Sequence, residues 1–174
     1  STARICTTMK NMEKMLDEKE STYKILNNGR VVLDEGDYIR KVYFNKEVFD
    51  DVESTIEIGK KMHPDLFVNQ GKDKYFWVRM KKIEYDTSYT RDYETNVRNY
   101  LRLRDYHDDK CKRDLSPKNI IYQKSDGKFY LIDWDQSTTM SDMKTYYKRE
   151  LTSNKWQEIY GSYDELAEKF ERLW

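Results

Sequence analysis

The chain is short of cysteine, of net charge and of long apolar runs. Its 174 residues include two cysteines, Cys6 and Cys111, set far apart. Two such residues build neither a disulfide framework nor a zinc knuckle. The 32 basic and 32 acidic residues cancel, which leaves no bulk attraction to nucleic acid or to an anionic membrane. No apolar run approaches the ~18 residues needed to span a bilayer. No secretory signal pattern opens the sequence. The expectation is a soluble intracellular protein, cytoplasmic or nuclear, with no nucleic-acid or membrane partner.

Charge is abundant although it cancels. Charged residues make up 37% of the chain and hydrophobic residues another 37%. Disorder combines low hydrophobicity with high net charge, so the zero net charge and the 14% aromatic content argue for a folded chain. The 15 tyrosines are expected to supply core area with their hydroxyls at its edge. The length suits one domain or a two-lobed unit with one cleft.

Periodicity sets the elements. Met9, Met12, Met15 and Leu16 fall at helical spacing between Thr8 and Glu20. From Tyr23 to Phe44 three short strands alternate with the turns Asn27-Asn28-Gly29-Arg30 and Asp34-Glu35-Gly36-Asp37. Glu47 to Met62 reads as a helix with Val48, Val52, Ile56 and Gly59 on one face, stopped by His63-Pro64. Two more strands are expected at Leu66–Val68 and Tyr75–Met80, around a turn over 69–74. A second helix over 86–106 places Tyr93, Val97, Tyr100 and Leu101 together. Helical character returns over 142–151 and 163–174, the latter anchored by Leu166, Phe170, Leu173 and Trp174. His63 reads as a turn residue and His107 as exposed, neither as a ligand.

The stretch from Lys112 to Gln136 carries the chemistry. A loop, Lys-Arg-Asp-Leu-Ser-Pro-Lys-Asn, runs into the apolar Ile-Ile-Tyr. A polar turn with Asp126-Gly127 follows, and the returning strand Phe-Tyr-Leu-Ile ends on Asp133. Asp114 and Asn119 on the loop and Asp133 on the strand are thereby held near one end of a hairpin. Two carboxylates and an amide suit a hard cation such as Mg²⁺ and its phosphate.

Arg113, Asp114, Leu115, Pro117, Asn119 and Ile120, followed by Leu131-Ile132-Asp133-Trp134-Asp135, resemble the catalytic core of the protein-kinase-like superfamily. There the loop pattern is His-Arg-Asp-Leu-x-x-x-x-Asn and the next strand ends in Asp-Phe-Gly. The similarity is greatest to the fungal-type kinases, then to aminoglycoside and choline kinases. The resemblance implies an α+β fold of two lobes: residues 1–80 as an N-terminal helix and a small antiparallel-sheet lobe, and 81–174 as a reduced, mainly helical catalytic lobe. It implies ATP and Mg²⁺, or Mn²⁺, as cofactors and a protein Ser/Thr or small-molecule hydroxyl as acceptor.

Site roles follow from the same resemblance. Asp114 orients the acceptor hydroxyl and receives its proton, while Asn119 and Asp133 hold the metal. Asp135 stands as an extra ligand in place of glycine. Lys41 neutralises the α- and β-phosphates, with Arg40 as its competitor one residue away. Glu53 pairs with that lysine, and Glu57 is the second choice. Backbone near Arg79 to Lys82 would hold the adenine edge. Ser116 occupies the position where Ser/Thr protein kinases keep a lysine on the γ-phosphate, and Lys118 is expected to substitute for it.

The sequence also departs from the pattern. Lys112 replaces histidine, and the Gly-x-Gly-x-x-Gly loop is absent, with only Asn28-Gly29 in its place. No substrate platform follows Asp135. These departures motivate a second reading, a pseudokinase or kinase mimic that binds a partner protein. A third is a general adaptor whose motif match is accidental.

Overall fold

The computed structural model describes residues 22–26, 29–45, 49–72, 74–84, 91–106, 114–134 and 142–174. Period-two burial shapes its first strands. Along β2 (Arg30–Asp34), Val31 and Leu33 are buried between half-exposed neighbours, as expected of a strand with one covered face. β1 (Thr22–Leu26) and β3 (Tyr38–Tyr43) flank it. With β5 (Phe76–Lys81) and β4 (Phe67–Lys72) they form an antiparallel sheet of order β1-β2-β3-β5-β4.

Register decides which side chains share a face. Val31 pairs with Val42, and Val42 with Trp77; Leu33 pairs with Arg40, and Arg40 with Arg79. These residues lie on one side, where Val31, Leu33, Val42 and Phe44 form a core with Tyr75 and Trp77 packed against it. Lys41 pairs with Val32 and Val78 and belongs to the opposite side. β4 runs through Lys72, past the turn expected at 69–74, with a register irregularity between Phe67 and Asn69. Gly71 permits this: a Cβ there would lie 2.5 Å from the Trp77 indole.

The described residues divide into two compact units. One takes the chain up to Asp50 with His63–Lys82, and the other takes Asp51–Met62 with Ile83–Trp174. Helix α1 (Phe49–Met62) buries Val52, Ile56, Ile58 and Met62 and stops before His63-Pro64. The turn there is closed by the Leu66 amide donating to the His63 carbonyl (3.0 Å).

In the second unit α2 (Tyr93–Leu101) buries Tyr93, Val97, Tyr100 and Leu101, the face the spacing predicted. It is shorter than expected and tightens into a 3-10 turn at Arg102–Asp105. The hairpin β6 (Ile120–Gln123) and β7 (Lys128–Leu131) follows. α3 (Met143–Leu151), α4 (Asn154–Tyr160) and α5 (Tyr163–Leu173) complete it. α5 packs on α2, α3 and α4 through the fully buried Leu166 and Phe170. The protein is thus a mixed α/β structure with two small antiparallel sheets and five helices among the described residues. None of these helices is long and apolar enough to cross a membrane.

Two expectations are corrected here. α4 has no counterpart in the periodicity reading. The tyrosines also do more than edge the core: the Tyr93 hydroxyl is buried and donates to the Leu151 carbonyl (3.0 Å). Burial without a compensating charge pushes its pKa up. The Met9–Leu16 pattern and His107 fall outside the described residues.

Candidate functional site

Backbone polar groups in a buried loop need partners that no ladder supplies. For the Leu115 and Ser116 carbonyls those partners include aromatic side chains from two helices. The Tyr100 hydroxyl, from α2, donates to the Ser116 carbonyl at 2.6 Å. The Trp156 indole N–H, from α4, donates to the Leu115 carbonyl at 2.8 Å. Trp156 is fully buried and meets Tyr93 edge-on (5.6 Å) while stacking on Tyr160 (5.6 Å). Leu115, Ser116 and Pro117 are buried along with it. Each buried hydrogen bond of this kind contributes about 1 kcal/mol net, and more is lost if its carbonyl is stranded.

Pro117–Asn119 form a single 3-10 turn. Its closing bond runs from the Asn119 amide to the Ser116 carbonyl (3.1 Å). The buried Asn119 side chain turns its Nδ2 towards the Asp114 carbonyl (3.5 Å). An amide that donates through nitrogen presents its oxygen elsewhere as an acceptor or cation ligand. The Ser116 hydroxyl donates to Asp114 Oδ1 at 2.7 Å. Asp114 and Asn119 are therefore fixed to each other through main chain and side chain.

Asp133 is brought to the same place by the hairpin. Ile120 pairs with Leu131, and the Ile132 amide donates to the Asn119 carbonyl at 2.9 Å. Asp133 follows at φ 66°, the only non-glycine positive φ among the described residues. That conformation costs about 1–2 kcal/mol for most L-residues and somewhat less for Asp. The next residue holds it: Trp134 is buried and its indole N–H donates to the Leu131 carbonyl (2.8 Å). Backbone outliers kept in place by their surroundings cluster at functional sites.

At the far end of the hairpin Asp126 organises the turn. Its carboxylate accepts from Tyr130 (2.6 Å), Gln123 (2.9 Å) and the Lys128 amide (3.0 Å). These bonds, the Tyr130 hydroxyl foremost, hold its pKa below the usual range. The connection is four residues long, 124–127, with Gly127 at φ 68°.

Asp114 and Asn119 thus share one local hydrogen-bond network, and the Ile132–Asn119 backbone bond sets Asp133 one residue from it in sequence. Lys118 lies on the same turn but is exposed and makes no hydrogen bond among the described residues. Asp135 falls outside the described residues, as do Lys112 and Arg113. Lys41 is half-buried in mid-strand on the first unit, and Glu53 is half-buried on α1 in the second.

The competitors of that pair have other partners. Arg40 Nε donates to Glu35 (2.8 Å), and its guanidinium lies over Trp77 at 4.5 Å. Glu57 is exposed and pairs with Lys60 at 3.1 Å. The Lys81 and Lys82 amides in the expected adenine-binding segment are already donated to the Leu66 and Asp37 carbonyls, both at 2.9 Å.

Periodicity missed Lys155. Its ammonium, on α4, donates to Ser116 Oγ at 3.2 Å, the same hydroxyl that donates to Asp114 Oδ1. A seven-residue helix is too short for a periodic signal. Its boundary signals were present: Ser153 stands at the N-cap and Gly161, at φ 132°, ends it. Comparison of the sequence with known protein families and with curated proteins returns no match.

Proposed function

We propose that this protein is a kinase-like phosphotransferase, moving the γ-phosphoryl group of Mg²⁺-bound ATP to a hydroxyl acceptor, a protein Ser/Thr or a small molecule. The sheet unit would serve as the nucleotide-binding lobe and the helical unit as the catalytic lobe. One observation carries the reading: Asp114 and Asn119 are locked together on a loop that the hairpin joins to Asp133, held at positive φ. The residues fit the metal. Mg²⁺ takes one or two carboxylates and completes its shell with phosphate oxygens and water. Asp133 and the Asn119 amide oxygen supply such donors beside Asp114. No group of three or more His, Cys, Asp or Glu suited to a metal gathers among the described residues, so a protein-only cage is not the design favoured here.

Mg²⁺-ATP supplies the transferable group and neutralises charge on its oxygens. Asp114 accepts the hydrogen bond of the acceptor hydroxyl and orients its oxygen. It takes that proton as the oxygen–phosphorus bond forms and the bond to the leaving diphosphate breaks. Asn119 and Asp133 would hold the metal. Lys41 is proposed to meet the α/β-phosphate charge, the role of the strand lysine in the resembled family.

The test is γ-phosphate transfer by the full chain with Mg²⁺ or Mn²⁺, to itself and to a generic protein substrate. Asp114→Ala is expected to lose about 10²–10⁴-fold in rate, and Asp133→Ala to lose transfer, both by far more than the accompanying drop in melting temperature explains. Full activity in either variant would sink the proposal. The second reading, a pseudokinase or kinase mimic binding a partner protein, draws on two observations. Only three residues join β1 to β2, with no room for a glycine loop, and the Lys81 and Lys82 amides are engaged. Absence of both transfer and nucleotide-induced stabilisation, with a partner kinase co-purifying, would favour it.

A further inference from the structure

The proposed site is one cation short in sequence, because Ser116 stands where a phosphate-binding lysine is expected. The structure brings a different lysine to that residue. Ser116 Oγ has one proton, which goes to Asp114 Oδ1 (2.7 Å). The same oxygen then accepts from Lys155 Nζ (3.2 Å). The order Lys155–Ser116–Asp114 is therefore fixed by donor count, with the ammonium at the outer end.

Delivery is rigid. Lys155 precedes Trp156, whose indole N–H is bonded to the Leu115 carbonyl and which is fully buried. Helix α4 is thus pinned to the loop one residue from the lysine. Ser116 accounts for one of the three ammonium donors, and the Lys155 side chain remains on the exposed side of α4. An ammonium hydrogen-bonded two steps from the proton-accepting carboxylate is placed to meet phosphate oxygens. Lys118, adjacent in sequence, makes no such bond among the described residues.

We propose that Lys155, not Lys118, is the phosphate-facing cation of this site, supplied from α4 and held on Asp114 through Ser116. This rests on the phosphotransferase reading. Neutralising charge that develops on a transferring phosphoryl group is worth about 10²–10³-fold in rate. It also favours a triphosphate over a diphosphate in binding.

The experiment uses the full chain with Lys155→Met, Lys155→Arg and Lys118→Met. Phosphate transfer is measured beside calorimetric affinity for Mg²⁺-ADP and for the Mg²⁺ complex of the β,γ-imido analogue of ATP. Lys155→Met is expected to lower kcat about 10²-fold or more while the KM for ATP moves far less. Its affinity for the imido analogue falls and that for ADP holds. Lys155→Arg recovers much of both, and Lys118→Met changes neither.

Wild-type behaviour in Lys155→Met, or the loss falling on Lys118→Met, would overturn the assignment. So would an equal loss of both nucleotides in Lys155→Met, which marks a merely structural contact. Failure of the phosphotransferase reading looks different: the wild-type chain itself neither transfers phosphate nor binds either nucleotide, and the inference falls with it.

Discussion

The sheet and the loop of residues 114–119 use polar groups in opposite ways. On the sheet, charged side chains answer one another near solvent. Glu35 sits between Arg40 (2.8 Å) and Arg79 (3.5 Å), and Arg79 lies over Tyr38 at 4.1 Å. Lys82 pairs with Asp34 at 2.8 Å, which with the Gly36 amide holds that carboxylate below its usual pKa. The exposed Lys82–Asp34 pair contributes little, because solvent screens it. The strand ladder already satisfies the backbone, so these charges are not needed for its hydrogen bonds.

Around the loop and the adjoining strand end, three main-chain carbonyls are met by buried, uncharged donors on aromatic rings. Tyr100, Trp156 and Trp134 each reach a main-chain carbonyl. Their rings supply burial, and their N–H or O–H groups replace the missing ladder. The comparison teaches that an irregular loop is held in one shape by the helices beside it. Sensitivity to single substitutions should be concentrated there.

The largest effect expected from this contrast is at Trp156. Replacing it by Ala empties a fully buried site and strands the Leu115 carbonyl, at a cost of about 3–5 kcal/mol. Urea unfolding measures that loss. Trp156→Phe should keep most of the packing, give up about 1–3 kcal/mol for the carbonyl, and slow phosphate transfer by more than its stability change explains. If Phe behaved like wild type in both respects, the aromatic anchor would be packing alone.

An intermediate effect belongs to the sheet. Gly71→Ala drives a methyl group into the Trp77 ring at 2.5 Å. Overpacking costs about 1–3 kcal/mol, and because Trp77 is only half-buried the low end is expected. Chemical denaturation should show this loss with transfer activity spared. Equal damage to activity would erase the contrast between the two regions.

The smallest effect is electrostatic. Hydrogen bonds from Lys148 and Lys144 depress the Glu171 pKa from 4.5 to about 2. A depressed carboxylate contributes stability that is present above 4.5 and lost as pH falls through about 2. The group is exposed to solvent, so a slight drop in melting temperature over that window is expected. Glu171→Gln should flatten that part of the profile. A large drop would show that the α3–α5 ion cluster holds more than its exposure indicates.

Much of the fold was legible because its signals are local. The apolar run Val31-Val32-Leu33 between two turns marked a strand, His63-Pro64 stopped α1, and helical spacing named Tyr93, Val97, Tyr100 and Leu101 as one buried face. The loop-and-hairpin grouping of Asp114, Asn119 and Asp133 was legible for the same reason: all three lie within one short stretch. What stayed hidden was non-local. Strand β4 overran its expected turn because Gly71 lets Trp77 approach, a pairing across the sheet. Which of Arg40 and Lys41 shares the Trp77 side depended on register, which puts Arg40 there.

By itself, then, the sequence determined which residues form the hairpin, which acids and amide it presents, and which helix faces are apolar. These depend on periods and turns a few residues long. Only the tertiary structure decided that α4 reaches the loop, that Trp156 and Tyr100 hold its carbonyls, and that Lys155 rather than Lys118 meets Ser116. The physical reason is that an irregular backbone takes its shape from hydrogen bonds made by distant side chains. Such bonds leave no repeat in the sequence, and their geometry exists only after the helices have packed.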